Sequence, residues 1–334
     1  MKTVFIFGSD FLKRKKMIND NGSGAKRMRE LRRIAAALIA AALCFAFCAC
    51  GKAISEREID GGKPTVVATI FPYYDFAKNV CGDAVNVVLL VPPGSDSHSY
   101  EPTPKDVKLV NECALFVYTG GEEDGAFQQL LDSADAQVNA LKLIDFVAPL
   151  KEQLVEGMEG EADDGWDPHI WTSPANARRI CEAIADAASD IVPGFNRALC
   201  SAYELELEKL DNGFAAYFAE HKEPLIFGDR FPFRYFTAEY GVEYYAAFPG
   251  CADYTEPSAK TIKTLIEKAK ENGVKTVYYA EGADTTAAES IADEVGGETA
   301  LLHSCHRVTQ AEMDEGKGYI DFMRENLETL KNSD

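Results

Sequence analysis

Five histidines are spread over the 334 residues, and their placement carries the chemistry of this chain. His98 stands in the stretch Val91 to Lys105, which follows an apolar run and holds four prolines. Those prolines restrict the loop backbone, so the imidazole is held in place before any ligand arrives. His169 lies in Trp166-Asp167-Pro168-His169-Ile170-Trp171, directly after an acidic insert. His303 ends a short apolar run near the C-terminus, and His306 follows three residues later. His221 closes a long helical stretch, where an imidazole serves as a C-terminal cap.

Asp229 belongs to the same pattern. It follows the apolar run Leu225 to Gly228 and opens an aromatic-rich loop, where a charge is costly unless paired or coordinated. Three imidazoles and one carboxylate, His98, His169, Asp229 and His303, make a four-coordinate set for a divalent transition metal.

The elements that must position these residues alternate between strand and helix. Thr65 to Ile70, Val85 to Val91, Ala114 to Tyr118 and Leu141 to Ile144 are β-branched or apolar runs of strand length. Leu225 to Gly228, Val242 to Phe248, Val274 to Ala280 and Thr299 to Leu302 repeat the style. Between the two sets, residues 194–221 predict one long helix, with Leu199, Tyr203, Leu207, Leu210, Phe214 and Phe218 on the helical period. Thr103-Pro104 with Asp106, and Ser173-Pro174, read as helix starts; Asn272-Gly273 reads as a helix end. The expected fold is therefore α/β, with two lobes, each a parallel four-stranded sheet flanked by helices, joined by one long rigid helix. Glu152 to Gly165, rich in Glu, Asp and Gly, is expected to be an unstructured insert. Loops at the carboxyl ends of parallel strands are where such folds bind ligands.

Composition divides the chain unevenly. Ten of its 34 basic residues and three of its 54 acidic ones precede Cys50, which leaves 24 against 51 in the remainder. That sign speaks against a nucleic-acid partner and favours cation attraction. Lys26 to Arg33 followed by the apolar Ile34 to Phe47 reads as a signal segment too short to span a bilayer. Residues 1–27 fit no signal pattern, so Met28 is the better start. Phe47-Cys48-Ala49-Cys50-Gly51 resembles a bacterial lipobox, which predicts a signal peptide over 1–49, lipidation of Cys50 and a polar tether over 50–63. The folded part then divides into 64–193, the linking helix 194–221, and 222–334.

At His98-Ser-Tyr-Glu-Pro and Asp167-Pro-His169-Ile-Trp the chain resembles the metal-binding receptor lipoproteins of bacterial ABC importers for zinc and manganese, from about Pro64 to Leu330. The resemblance implies a metal held in the cleft between two lobes, docking on a membrane permease, a membrane anchor through lipid, a monomer, and no catalysis. In that family the third ligand is usually His or Glu and the fourth usually Asp. Here Asp229 and His303 stand at the corresponding places, with His306 and Glu281 as alternatives. Nitrogen-rich coordination suits zinc, with manganese next. Glu101 and Asp167 read either as loop-structuring residues or as partners that orient the ligating imidazoles.

Rival readings are a surface adhesin, an iron-chelate receptor, and a secreted metallohydrolase. The last lacks His-Glu-x-x-His, and four protein ligands would saturate the ion. Among the cysteines, Cys251 and Cys305 both follow strands of the second half and are candidates for a disulfide.

Overall fold

The computed structural model describes residues 60–333, apart from 122–123, 136, 161–164 and 251–255. The signal segment, Met28, Cys50 and most of the tether lie outside the described residues, as does Cys251 with its pairing to Cys305. No helix among the described residues is long and apolar enough to cross a membrane.

Two parallel sheets organise the chain. The first has β1 (Thr65–Ala68), β2 (Asn86–Leu89), β3 (Leu115–Tyr118) and β4 (Ala140–Lys142) in the order β2-β1-β3-β4. The second has β5 (Leu225–Phe231), β6 (Tyr244–Pro249), β7 (Thr276–Tyr279) and β8 (Glu298–Leu301) in the order β6-β5-β7-β8. The two orders are the same, and in each the chain reverses its direction of travel beside the first strand. The crevice at such a reversal, at the strands' carboxyl ends, is the ligand position of open α/β sheets. Helices cover both faces, so Val66, Val67, Ile226 and Phe227 are wholly buried and the strands read as continuous apolar runs.

Helix starts follow the local signals. Thr103 Oγ1 accepts from Asp106 N and Asp106 Oδ2 accepts from Thr103 N, closing a capping box that begins Pro104–Glu112 as His98's loop ends. Ser173 caps Pro174–Ile191 just after the His169 segment. Gly273 ends Ala259–Asn272 in the left-handed region, at φ 71°.

The linking helix is Ala198–Glu220, 23 residues and about 34 Å long. It buries Leu207, Leu210, Phe214 and Phe218, whereas Leu199, which the periodicity placed inward, is exposed. Gly213 lets the C-terminal helix Tyr319–Asn332 approach: a Cβ there would stand 2.8 Å from Leu327 Cδ2. The main apolar core runs from the first sheet past this helix to one face of the second sheet, and a smaller core fills the other face.

Three expectations are corrected. The insert forms no helix or strand over 152–160, but it is not free: Glu159 N donates to Ala247 O at 2.8 Å, and its carboxylate accepts from Ser258 N at 2.7 Å and from Thr261 Oγ1. Hydrogen bonds to the second lobe hold it, together with Val155 and Met158 packed against the main core. β5 extends through Phe231, so Asp229 lies within a strand rather than in the loop after it, at a register shift between Phe227 and Arg230. The helix Thr286–Val295 completes the cover of the second sheet and had no counterpart in the sequence reading.

Candidate metal centre

Three imidazoles meet between the lobes. His98, His169 and His306 each offer a ligand atom within 4.8 Å of the others. Their ring centroids are 4.9 Å apart for His98 and His306, 5.4 Å for His169 and His306, and 5.8 Å for His98 and His169. A tetrahedral ion with nitrogen ligands at about 2.1 Å sets them about 3.4 Å apart, so a contraction of at most about 1.4 Å closes the triangle. Neither Asp229 nor His303, both expected as ligands, belongs to this group.

Each imidazole is held differently. His98 sits on the loop between β2 and the helix Pro104–Glu112, and its backbone N–H donates to Asp96 Oδ1 at 3.0 Å. His169 is wholly buried; Asp167 Oδ1 accepts its backbone N–H at 2.8 Å and lies 3.1 Å from ring Nδ1. That contact holds the proton on Nδ1 and leaves Nε2, which is buried without a hydrogen-bonding partner among the described residues, as the donor atom. Trp171 packs its ring 5.4 Å from His169 and 5.7 Å from His306, while its Nε1 donates to Ser304 O at 2.8 Å in the other lobe. Gly250 closes on the far side of His169, where a Cβ would stand 2.9 Å from Cε1. Glu101, the other expected orienting residue, is exposed.

His306 owes its position to a strained turn. Cys305, with φ 63°, is the one described non-glycine residue of positive φ. A left-handed residue there costs on the order of 1–2 kcal/mol and persists only where its surroundings enforce it. Glu281 enforces it: its carboxylate accepts from Ser304 N and Oγ at 2.7 Å each, from His306 N at 2.9 Å and from Arg307 N at 3.0 Å. Glu281, the other alternative ligand, thus shapes the turn over 304–307. Burial, and then the neighbouring His98, His169 and Arg230, push the His306 imidazole well below its ordinary range. It is neutral at physiological pH, the form that binds metal. Its Nε2 lies 2.6 Å from Ser97 Oγ on the His98 loop.

The same turn sends His303 the other way. Its ring stacks on Phe322 at 4.0 Å, Nδ1 accepts from Cys305 N at 2.9 Å, and Nε2 faces Glu312 at 3.7 Å. Asn326 closes the arrangement, accepting from His303 N at 2.7 Å and donating to its carbonyl at 2.8 Å. His303 Nε2 is buried without a hydrogen-bonding partner among the described residues, and it is the ring of His306 that meets His98 and His169. Asp229 is also buried; Oδ2 accepts from Ala280 N at 3.1 Å, and Oδ1 has no hydrogen-bonding partner among the described residues. Burial, with Glu281 adding to it, pushes this carboxyl up to about 7.

A family model described as zinc-uptake complex component A, periplasmic, matches residues 66–333. The chain belongs to this family. The zinc-binding lipoprotein AdcA of Streptococcus pneumoniae R6 is 31% identical over 305 residues, which cover 88% of this chain and 60% of that protein. The chain therefore spans less than two thirds of that relative's length. The high-affinity zinc uptake system protein ZnuA of Bacillus subtilis 168 is 32% identical over 318 residues, covering 89% of this chain and 96% of that one. Among solved structures, the Zn(II)-bound ZnuA-like domain of pneumococcal AdcA matches with a TM-score of 0.68 at 30% identity, over 81% of this chain and 99% of that domain. In this chain the imidazole that meets His98 and His169 comes from the turn after β8.

Proposed function

We propose that this chain is an extracytoplasmic receptor that captures Zn(II) between its lobes through His98, His169 and His306 and passes it to the permease of an ABC importer. The convergence of three imidazoles from separate loops of both lobes is the observation that carries this reading. Nitrogen donors favour zinc over manganese, which takes more oxygen ligands. The acidic surplus after Cys50 draws cations towards the protein as a whole. Residues 64–193 and 222–334 act as the two lobes, the helix between them sets their spacing, and lipidation of Cys50 tethers the receptor to the membrane.

Titration of residues 53–334 against a zinc chelator of known affinity tests the reading. One zinc per chain, lost in His98→Ala, supports it. Failure of the folded wild-type protein to bind zinc overturns it, and tighter binding of manganese overturns the choice of ion.

A further inference from the structure

We infer that Asp96 is a positioning residue for this centre, joining the His98 loop to Arg230 and Arg307 in a charge clamp across the lobes that slows release of the ion. The inference rests on the proposed zinc site.

Asp96 stands two residues before His98 and uses its two carboxylate oxygens for different lobes. Oδ1 accepts the His98 N–H at 3.0 Å, which fixes the backbone that carries the imidazole. Oδ2 pairs with Arg230 Nη1 at 3.4 Å and with Arg307 Nη2. Arg307 adjoins His306 in sequence, so one carboxylate couples the backbones on both sides of the metal triangle. Two further contacts lie along the same seam: Gly94 N donates to Val308 O at 2.8 Å, and Ser97 Oγ meets His306 Nε2 at 2.6 Å. Residues 94–98 are thereby laid along 306–308.

The charges at the seam need a reason. Arg230 and Arg307 are two cations beside a cation site in an acidic protein, and their direct effect on an incoming divalent ion is repulsive. Pairing with Asp96 supplies the reason, because the attraction holds the loop that supplies His98. The three side chains are 14%, 20% and 26% exposed for Asp96, Arg230 and Arg307. Partial burial strengthens such a pair relative to a surface ion pair. When the His98 loop lifts off the second lobe, Asp96 separates from both guanidinium groups, so the pairs oppose withdrawal of His98 with its loop. Asp96 is outside the group of side chains whose ligand atoms meet, so its part is to hold His98, not to ligate.

The test is zinc release from the purified chain into excess chelator by stopped flow. The proteins are wild type, Asp96→Asn, the double variant Arg230→Gln/Arg307→Gln, and all three changes combined. Asparagine keeps an acceptor for the His98 N–H and replaces the charged oxygen shared by the two guanidinium groups with an amide nitrogen that cannot accept from them. Release about 10–100-fold faster is expected in Asp96→Asn and in the double variant, the range typical of groups that position metal ligands. The combined variant is expected to release no faster than either, because one interaction is lost in all three. Raising salt from 0.05 to 0.5 M speeds release from wild type and leaves Asp96→Asn unchanged. The Co(II)-substituted proteins keep one set of visible bands throughout. Unchanged release in Asp96→Asn, multiplying effects in the combined variant, or altered Co(II) bands in Asp96→Asn would each overturn the clamp while leaving the zinc site standing. A wild-type chain that binds no zinc overturns the receptor reading and the clamp together.

Discussion

Asp167 and His169, separated only by Pro168, form a closed pair: one carboxylate oxygen takes the His169 backbone N–H at 2.8 Å and lies 3.1 Å from its ring Nδ1. Both side chains are buried, so the ring has one tautomer and one orientation, with Nε2 turned to the cleft. Asp167→Ala is expected to weaken zinc binding about 10–100-fold, measured by chelator competition. Unchanged affinity would mean that packing against Trp171 alone orients the ring.

Gly250 leaves no room for a side chain beside His169. A Cβ at this position would stand 2.9 Å from His169 Cε1 and 3.0 Å from Phe231 O. Gly250→Ala therefore displaces the imidazole or the β5 backbone, and misplacing a ligand by a few tenths of an ångström lowers affinity. Zinc binding about 10-fold weaker is expected, with Gly250→Val weaker still. Equal affinity in the valine variant would show that the ring shifts without cost.

Asp124 ties stability to pH outside the metal centre. Burial pushes its carboxyl up to about 6, against the hydrogen bond from Gly120 N at 2.6 Å, which lowers it. The unfolded chain ionises this group near pH 3.9, so between there and pH 6 the folded state binds the extra proton. Stability from this group thus falls as pH rises through that window, by up to about 3 kcal/mol, and stays lower above it. Asp124→Asn removes the loss. In urea unfolding its gain over wild type is expected to grow from near zero at pH 4 to a plateau above pH 7; a gain that is flat with pH contradicts the assignment.

Much of the scaffold was legible because local chemistry decides it. Thr103-Pro104 with Asp106 starts a helix wherever the chain places it, and the apolar runs form strands because both faces of each sheet are covered. His98 and His169 were legible for the same reason, each on a stiff segment that ends at a helix cap. His303 and His306 were not separable, since three residues of spacing do not say which ring faces the cleft. The positive φ at Cys305 decides that, and it depends on Glu281, more than twenty residues away, gathering the turn. Asp229 was misplaced because the aromatic sequence after Gly228 gives no sign that β5 continues through a register shift. Arg230 and Arg307 meet Asp96 across 134 and 211 residues, a pairing that only the tertiary fold creates.

The assignment of His306 over His303 is the centre of the functional reading, and one comparison tests it. Zinc affinity and thermal stability are measured side by side for His306→Ala and His303→Ala. His306→Ala is expected to stay folded and lose at least about 100-fold in affinity, as removal of one of three protein ligands requires. His303→Ala is expected to lose its stacking on Phe322, melt at lower temperature, and still bind one zinc per chain below that temperature. A folded His306→Ala that binds zinc as tightly as wild type, beside a folded His303→Ala that does not, would contradict the assignment and return His303 to the site.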